Sequence, residues 1–170
     1  MSDSSLRLLT GLALAVGIAI VMPYEGMSNR AYLDPIGIPT ICYGHTGSDI
    51  RMGQEYSSKE CEALLKRDLG EALAVVDSTL NATQPITRRA ALASFVYNVG
   101  ERNFRRSTLL QRLNEGNIQA ACDEMTRWIY AGRGEHQRAL QGLIRRRAME
   151  RQLCLYGTED HPSVHQEKTP

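Results

Sequence analysis

The chain has 170 residues, 42% of them hydrophobic, and a formal net charge of only +1 at pH 7, so it is long enough to bury a hydrophobic core as one domain or two small lobes. Arginine outnumbers lysine seventeen to three, and residues 88 to 151 carry thirteen arginines against six acidic residues, a local balance of +7. We expect this half to face an anionic polymer, and a solvated helix face is the default alternative for such a set of charges. Nucleic acid is set aside as that polymer, because no recognition motif or ladder of aromatic residues accompanies the arginines.

An uncharged apolar run from Leu8 to Met22 comes first in the chain. Its fifteen residues reach a membrane-spanning length of ~17 to 20 only with flanking residues. Glycine and alanine dilute the larger side chains, so insertion into lipid is less favourable than for a leucine-rich span. Gly11, Ala15 and Ala19 share one ridge, which indicates a surface that a second helix could approach. Three interpretations stay open: an uncleaved membrane anchor, a cleaved secretory signal or a core helix.

Glu25, three residues after this run, begins a segment whose side chains suit the hydrolysis of a glycosidic bond. That reaction needs a protonated carboxyl to donate to the leaving sugar oxygen and an ionised carboxylate to activate water or stabilise the cationic transition state. Glu25 follows apolar residues, which favour its neutral form, whereas Asp34 lies in a polar turn that favours its charged form. The Thr40 hydroxyl is the candidate to orient the water. Taken alone, this spacing also fits surface charges or turn caps.

The residues around these three side chains carry a more specific pattern. Eight residues separate Glu25 from Asp34, five separate Asp34 from Thr40, and a Gly44-His45 pair follows the hairpin. The segment resembles the catalytic segment of the T4-type phage lysozyme family. The resemblance covers about residues 24 to 156 and extends to residues 88–92, 97–100, 107–110, 127–128 and 142–147.

The fold and the reaction follow from this resemblance as expectations. It implies a mainly α-helical, lysozyme-like α+β fold with a small antiparallel hairpin sheet and two lobes joined by a central helix. It implies hydrolysis of the β-1,4 bond between N-acetylmuramic acid and N-acetylglucosamine in peptidoglycan, with inversion and with no metal or cofactor. Glu25 would be the proton donor, while Asp34 would assist the water that Thr40 positions. A lytic transglycosylase and a non-catalytic, membrane-tethered wall-binding protein are the alternatives.

The apolar run and the cysteines make the resemblance closer to lambdoid signal-anchor-release endolysins of the phage 21 type. This implies an anchor segment in residues 1–23, a catalytic domain in residues 24–156 and a polar tail in residues 157–170. The host secretion machinery would export the chain, and residues 6–22 would hold it in the bacterial inner membrane with the catalytic domain in the periplasm. The enzyme would stay inactive while tethered and then be released into the periplasm as a monomer.

Four cysteines, Cys42, Cys61, Cys122 and Cys154, fit a chain that enters an oxidising compartment. Two disulfides are favoured over a zinc site, because no pair of these residues has the spacing of zinc ligands. The sequence leaves the pairing open. Cys42 with Cys61 and Cys122 with Cys154 would close the shortest loops.

Helix signals follow the hairpin segment. Ser57 and Glu60 form a capping-box pattern that predicts a helix toward Leu80. Thr87 is predicted to cap a strongly apolar central helix that Gly100 stops. Further helices are predicted over residues 108–114, 118–125 and about 136–155, and strand signal is confined to residues 32–51.

Two aromatic side chains have competing interpretations. His45 could serve as an acid or base, but the resemblance implies a structural ion pair between His45 and Asp68. Trp128 is expected in the core rather than as a platform for a sugar. Both interpretations place these residues in a supporting role.

Substrate contacts are expected from two further positions. Asn98, at the end of the central helix, is either a sugar-binding amide or an ordinary helix-terminal residue. One of the consecutive arginines 145–147 is expected to reach Glu25 or the glycan, and Arg145 is taken as the substrate-binding candidate. Helical geometry alone does not choose among the three.

Overall fold

The structure is a computed structural model that describes residues 3–34, 37–131 and 138–156. These residues form a mainly helical protein with a small antiparallel sheet, which confirms the predicted fold class. Besides one 3-10 turn (Met125–Arg127), the elements are α1 (Asp3–Val21), β1 (Ser28–Leu33), β2 (Pro39–Cys42), β3 (His45–Thr46), α2 (Ser58–Thr79), α3 (Ile86–Val99), α4 (Glu101–Arg105), α5 (Thr108–Asn114), α6 (Ile118–Glu124), β4 (Tyr130–Ala131), β5 (Arg138–Ala139) and α7 (Gln141–Tyr156).

Helix α3 is the centre of the molecule and packs against α1, α2 and α7. Gly100, with φ +84°, ends it as the sequence predicts, since glycine tolerates that conformation. The prediction that Thr87 caps this helix is wrong. Pro85 occupies the N-cap position, and the Thr87 hydroxyl is buried without a hydrogen-bond partner among the described residues. This helix therefore begins without a hydrogen bond from a capping side chain.

Helix α1 contains the apolar run and lies against α2 and α3. Ala13, Gly17 and Val21 are buried on this side, whereas the predicted small-residue ridge of Gly11, Ala15 and Ala19 is exposed. Gly17 allows the close approach, because a Cβ atom there would come within 2.9 Å of the Leu69 side chain. The described part of the chain contains no helix that is both long enough and apolar enough to cross a membrane.

The three-stranded sheet has the order β1-β2-β3, with both pairs antiparallel. Thr40 on the middle strand pairs with Tyr32 of β1 and Thr46 of β3. The turn after β1 is closed by the Gly37 N–H, which donates to the Asp34 carbonyl at 2.9 Å. Glycine suits this turn because its φ is +83°. Residues 35 and 36, part of the predicted hairpin, lie outside the described residues.

Several element boundaries differ from the sequence predictions. Strand β1 begins at Ser28, four residues before the predicted strand region, and α4 was not predicted. The last helix begins at Gln141 instead of near residue 136, because β5 pairs with β4 immediately before it. Such two-residue strands are too short to show periodicity. The predicted start of the last helix, His136, and the predicted tail, residues 157–170, lie outside the described residues. The helix capped by Ser57 and the helix that begins at Thr108 match their predictions.

Two disulfides link neighbouring elements and pair the cysteines that close the shortest loops. Cys42–Cys61 joins β2 to α2, and Cys122–Cys154 joins α6 to α7. All four sulfur-bearing side chains are buried. Trp128 packs edge-to-face on Phe95, with 5.5 Å between ring centroids. Phe95 belongs to the hydrophobic core that also contains Cys122 and Cys154. The structure thus places this tryptophan against the core.

Candidate active site

Glu25 lies directly after α1 and is fixed by both its backbone and its side chain. Its N–H donates to the Val21 carbonyl at 3.2 Å, which continues the helical hydrogen bonding past the end of α1. Its Oε1 atom accepts a hydrogen bond from Nη1 of Arg146. The Glu25 side chain remains 21% exposed, so it is held in place and is still accessible to a ligand.

The turn between β2 and β3 lies on the other side of this carboxylate. A Cβ atom at Gly44 would be 3.7 Å from Glu25 Oε2, and its φ of +87° also favours glycine. A cavity of about 470 Å³ opens beside Glu25. It is lined by Tyr24, Glu25, Asn98, Leu140, Gln141, Gly142, Leu143 and Arg146.

Asp34 and Thr40 both hydrogen-bond within the hairpin. Asp34 Oδ1 accepts from the Ile38 N–H at 2.8 Å, and the Thr40 hydroxyl donates to the Ile38 carbonyl at 3.1 Å. Thr40 is buried, whereas Asp34 is half-buried. These bonds fix the shape of the β1–β2 turn. The assignment of Asp34 and Thr40 as catalytic groups stays a prediction.

The arginine that reaches Glu25 belongs to a buried ionic cluster between α3 and α7. Arg146, Arg147 and Glu150 have side chains that are only 2%, 1% and 0% exposed. Glu150 accepts hydrogen bonds from Arg146 Nε at 3.0 Å, from Arg147 Nη1 and from the Ser94 hydroxyl at 2.6 Å. We call Ser94, Arg146, Arg147 and Glu150 the buried cluster.

Arg147 extends the buried cluster to Asn98. Its Nη2 donates to Asn98 Oδ1, its Nε donates to the Trp128 carbonyl at 3.1 Å, and its guanidinium lies 4.8 Å from the centroid of the Phe95 ring. Burial lowers the pKa of Arg147, and the negative charge of Glu150 opposes that shift. Because the Asn98 oxygen is occupied, its amide offers N–H donors to a ligand.

Of the three consecutive arginines, the structure places Arg146 next to Glu25, and the substrate contact expected of Arg145 stays a prediction. Arg145 is exposed on α7 and does not line the cavity beside Glu25. The choice depends on how α7 is rotated against α3, which the run of three arginines does not encode. Ser94 and Glu150 were also missed, although the spacing of Glu150 three and four residues after the two arginines was an available signal.

A second, more exposed ionic cluster lies beside β3. The His45 Nδ1 atom is 2.6 Å from Asp68 Oδ2, so the two residues expected to form an ion pair are in contact. His45 Nε2 also lies 3.1 Å from Asp49 Oδ1, and Arg67 Nη2 lies 3.2 Å from Asp49 Oδ2. The hydrogen bond with His45 is the main cause that lowers the pKa of Asp49. We call these four residues the hairpin cluster.

Tyr97 on α3 connects the region of the hairpin cluster with that of Glu25. Its hydroxyl donates to the Tyr43 carbonyl at 2.5 Å, which holds the β2–β3 turn against the central helix. Burial raises the pKa of Tyr97, and the negative charges of Glu25 and Asp68 raise it further. The hydroxyl therefore stays protonated at neutral pH and keeps its donor role.

Comparison with known proteins identifies the family. The model of the phage lysozyme family matches residues 22–150. The chain belongs to the phage lysozyme family. Like other members it is a glycoside hydrolase of the lysozyme type, and residue 25 and the surrounding cavity lie within the matched segment.

Relatives of this chain, and solved structures of similar proteins, match most of its length. It is 40% identical over 165 residues to the SAR-endolysin of Bacteriophage PS119, covering 94% of this chain and 96% of that one. It is 45% identical over 135 residues to the SAR-endolysin of Enterobacteria phage PA-2, covering 79% of each. The muramidase domain of SpmX from Asticaccaulis excentricus superposes with a TM-score of 0.76 at 33% identity, covering 82% of this chain and 94% of that one. A P22 lysozyme mutant gives 0.69 at 34% identity with the same coverage.

Proposed function

We propose that this phage lysozyme is an endolysin that hydrolyses the β-1,4 bond between N-acetylmuramic acid and N-acetylglucosamine in peptidoglycan, with Glu25 as the proton donor. The observation that carries the proposal is the position of Glu25, whose carboxylate is anchored by Arg146 at a cavity and is still partly exposed. Similarity to proteins named endolysin and muramidase supports the substrate.

The two oxygens of Glu25 suggest separate tasks. Arg146 donates to Oε1, which leaves Oε2, on the side of the Gly44 turn, to carry the proton that goes to the leaving sugar oxygen. The same three-stranded sheet carries Asp34, in the turn between β1 and β2, and Thr40, on β2. In the proposed reaction Asp34 assists the attacking water or stabilises the positive charge that develops on the sugar, and Thr40 positions that water.

Replacement of Glu25 by glutamine is the direct test. Glu25→Gln keeps the shape but removes the transferable proton, so hydrolysis of purified peptidoglycan should fall at least ~100-fold. Glu62→Gln, an exposed change on α2, is the matched control and should keep wild-type activity. A folded Glu25→Gln protein with near wild-type activity would remove Glu25 from the proposed role.

The hairpin residues have their own order of effects. Asp34→Asn should reduce activity severely, whereas Thr40→Ser should be mild because the hydroxyl remains. The reverse order would contradict the assignment of Asp34 and Thr40 as the residues that assist and position the attacking water. Analysis of the released sugars separates the reaction types: a hydrolase leaves new reducing ends, and 1,6-anhydro products would instead identify a lytic transglycosylase.

We further infer that the apolar run tethers the enzyme to the inner membrane in an inactive state. Two observations support this inference: the relatives named SAR-endolysins, and the docking of α1 on α2 and α3, which ends at Val21 and fixes the Glu25 backbone. A run held in lipid cannot occupy this docked position at the same time. Glu25 would then lie away from the cavity until α1 leaves the bilayer.

The exposed face of α1 allows a test that leaves the docked enzyme unchanged. Gly11, Ala15 and Ala19 are exposed, so leucine at all three strengthens lipid insertion by a few tenths of a kcal/mol or more per site without entering the α1 contact with the domain. We expect more protein in the membrane fraction and delayed lysis. Serine at the same three positions is the control and should not delay lysis. Equally rapid lysis by the leucine variant, shown to be membrane-bound, would contradict control by the tether.

A further inference from the structure

Glu150 is a fully buried carboxylate outside the cavity, at the contact between α7 and α3. Its side chain is 0% exposed, and it accepts hydrogen bonds from Arg146, Arg147 and Ser94. Three donors satisfy the charge of a carboxylate that burial would otherwise make unfavourable. Glu150 does not itself line the cavity beside Glu25.

Each arginine that Glu150 binds is directed at a different group of the cavity. Arg146 binds Glu150 through Nε and donates to Glu25 through Nη1, and Arg147 binds Glu150 through Nη1 and donates to Asn98 through Nη2. A guanidinium is planar and rigid, so fixing one of its edges also fixes the direction of the other nitrogens. The position of Glu150 therefore sets the direction of both contacts.

The charges of the two buried arginines balance when Glu25 and Glu150 are both ionised, and a protonated Glu25 leaves Glu150 as their single counter-charge among the described residues. Arg146 and Arg147 are both buried, and Glu25 and Glu150 are the carboxylates in contact with them among the described residues. Arg147 contacts Glu150 but not Glu25. Without the charge of Glu150, two buried cations would face the single carboxylate of Glu25.

We propose that Glu150 is a positioning residue, which holds Arg146 on Glu25 and Arg147 on Asn98 and limits the positive charge that acts on Glu25. This inference rests on the proposed role of Glu25 as the proton donor. Within the described part of the chain, the groups that face Glu25 are Arg146 from α7, Tyr97 from α3 and the uncharged backbone turn at Gly44. Arg147 acts on it from a greater distance as a second positive charge.

The test is the pH dependence of peptidoglycan hydrolysis by Glu150→Gln. Loss of the carboxylate leaves two cations to favour ionised Glu25, so the fall of activity on the alkaline side should move to lower pH. Misplacement of Arg146 should also lower kcat by ~10-fold to 100-fold. Asp123→Asn is the control and should change neither quantity. Asp123 lies half-exposed on α6 and pairs with Arg151, which is on α7 like Glu150.

A merely structural role would lower the amount of active enzyme without moving the pH profile, so a folded Glu150→Gln protein with an unmoved alkaline side would overturn the inference. If Glu150→Gln does not fold, Glu150→Asp keeps the charge but shortens the side chain by one methylene. It should then lose kcat per folded molecule, and wild-type kcat would overturn the inference. Glu25→Gln measured in parallel separates the two proposals, because full activity in that variant would remove the proposed function itself.

Discussion

The buried cluster and the hairpin cluster both pair arginine with carboxylates, but they differ in their contact with water. In the hairpin cluster the side chains of Asp49 and Arg67 are 52% and 47% exposed, whereas Arg146 and Glu150 are 2% and 0% exposed. Exposed ion pairs contribute little because water and salt screen them. Buried pairs are rigid, and removing one partner leaves an uncompensated charge.

This difference divides structural support between the two sides of the cavity. The buried cluster fixes the direction of groups at Glu25 and Asn98, so its loss should change catalysis and stability together. The hairpin cluster holds the strand that follows the Gly44 turn, and each of its exposed bonds is replaceable by water. Changes to the two clusters should therefore differ in size and in their dependence on pH and salt.

Arg146→Ala should give the largest stability effect, because it leaves buried Glu150 without one of its two cations. We expect a loss of ~3 to 5 kcal/mol in the free energy of unfolding, measured by urea denaturation. Arg145→Ala is the matched control on the neighbouring, exposed position and should change stability by no more than ~0.5 kcal/mol. Its activity tests the predicted substrate contact of Arg145. Equal stability of the two variants would show that the buried cluster is no more important than a surface charge.

Loss of either disulfide should give an effect of intermediate size on the free energy of unfolding. Cys122–Cys154 links two helices, and Cys42–Cys61 links the sheet to α2. Replacing both cysteines of a pair by alanine should cost ~3 to 4 kcal/mol. The sequence separations are 32 and 19 residues, so loss of Cys122–Cys154 should cost more by ~0.5 kcal/mol. Urea denaturation without reductant measures both values. A larger loss for Cys42–Cys61 would mean that strain or local packing outweighs loop length.

Asp49→Asn should give the smallest effect and the clearest pH dependence. Hydrogen bonding with His45 lowers the pKa of Asp49 below its ordinary value of 3.8, so its contribution is present above that pH and is lost as the pH falls through the folded-state pKa. The variant should therefore be slightly less stable than wild type at pH 7, and the difference should vanish in strong acid. It should also shrink in ~1 M salt. Glu62→Gln serves as control, and a gap unchanged by acid and salt would contradict the comparison.

Much of the fold was predictable because its signals are local. The Ser57–Glu60 capping box and the glycine that stops α3 are set by neighbouring backbone groups. The short strands β4 and β5 were missed because their pairing depends on residues seven and nine apart rather than on a repeated pattern. The early start predicted for α7 has the same cause, since β5 takes residues that would otherwise extend the helix.

The sequence by itself determined the family pattern of Glu25, Asp34 and Thr40, the cysteines available for disulfides and the apolar character of the run before Glu25. The tertiary structure decided which arginine reaches Glu25 and which face of α1 docks on the domain. Both depend on how one helix is rotated against another, and a helix with apolar or basic residues on several faces leaves that rotation open. Packing determines the rotation. Gly17 leaves room for the Leu69 side chain, and Glu150 accepts hydrogen bonds from two arginines between α3 and α7.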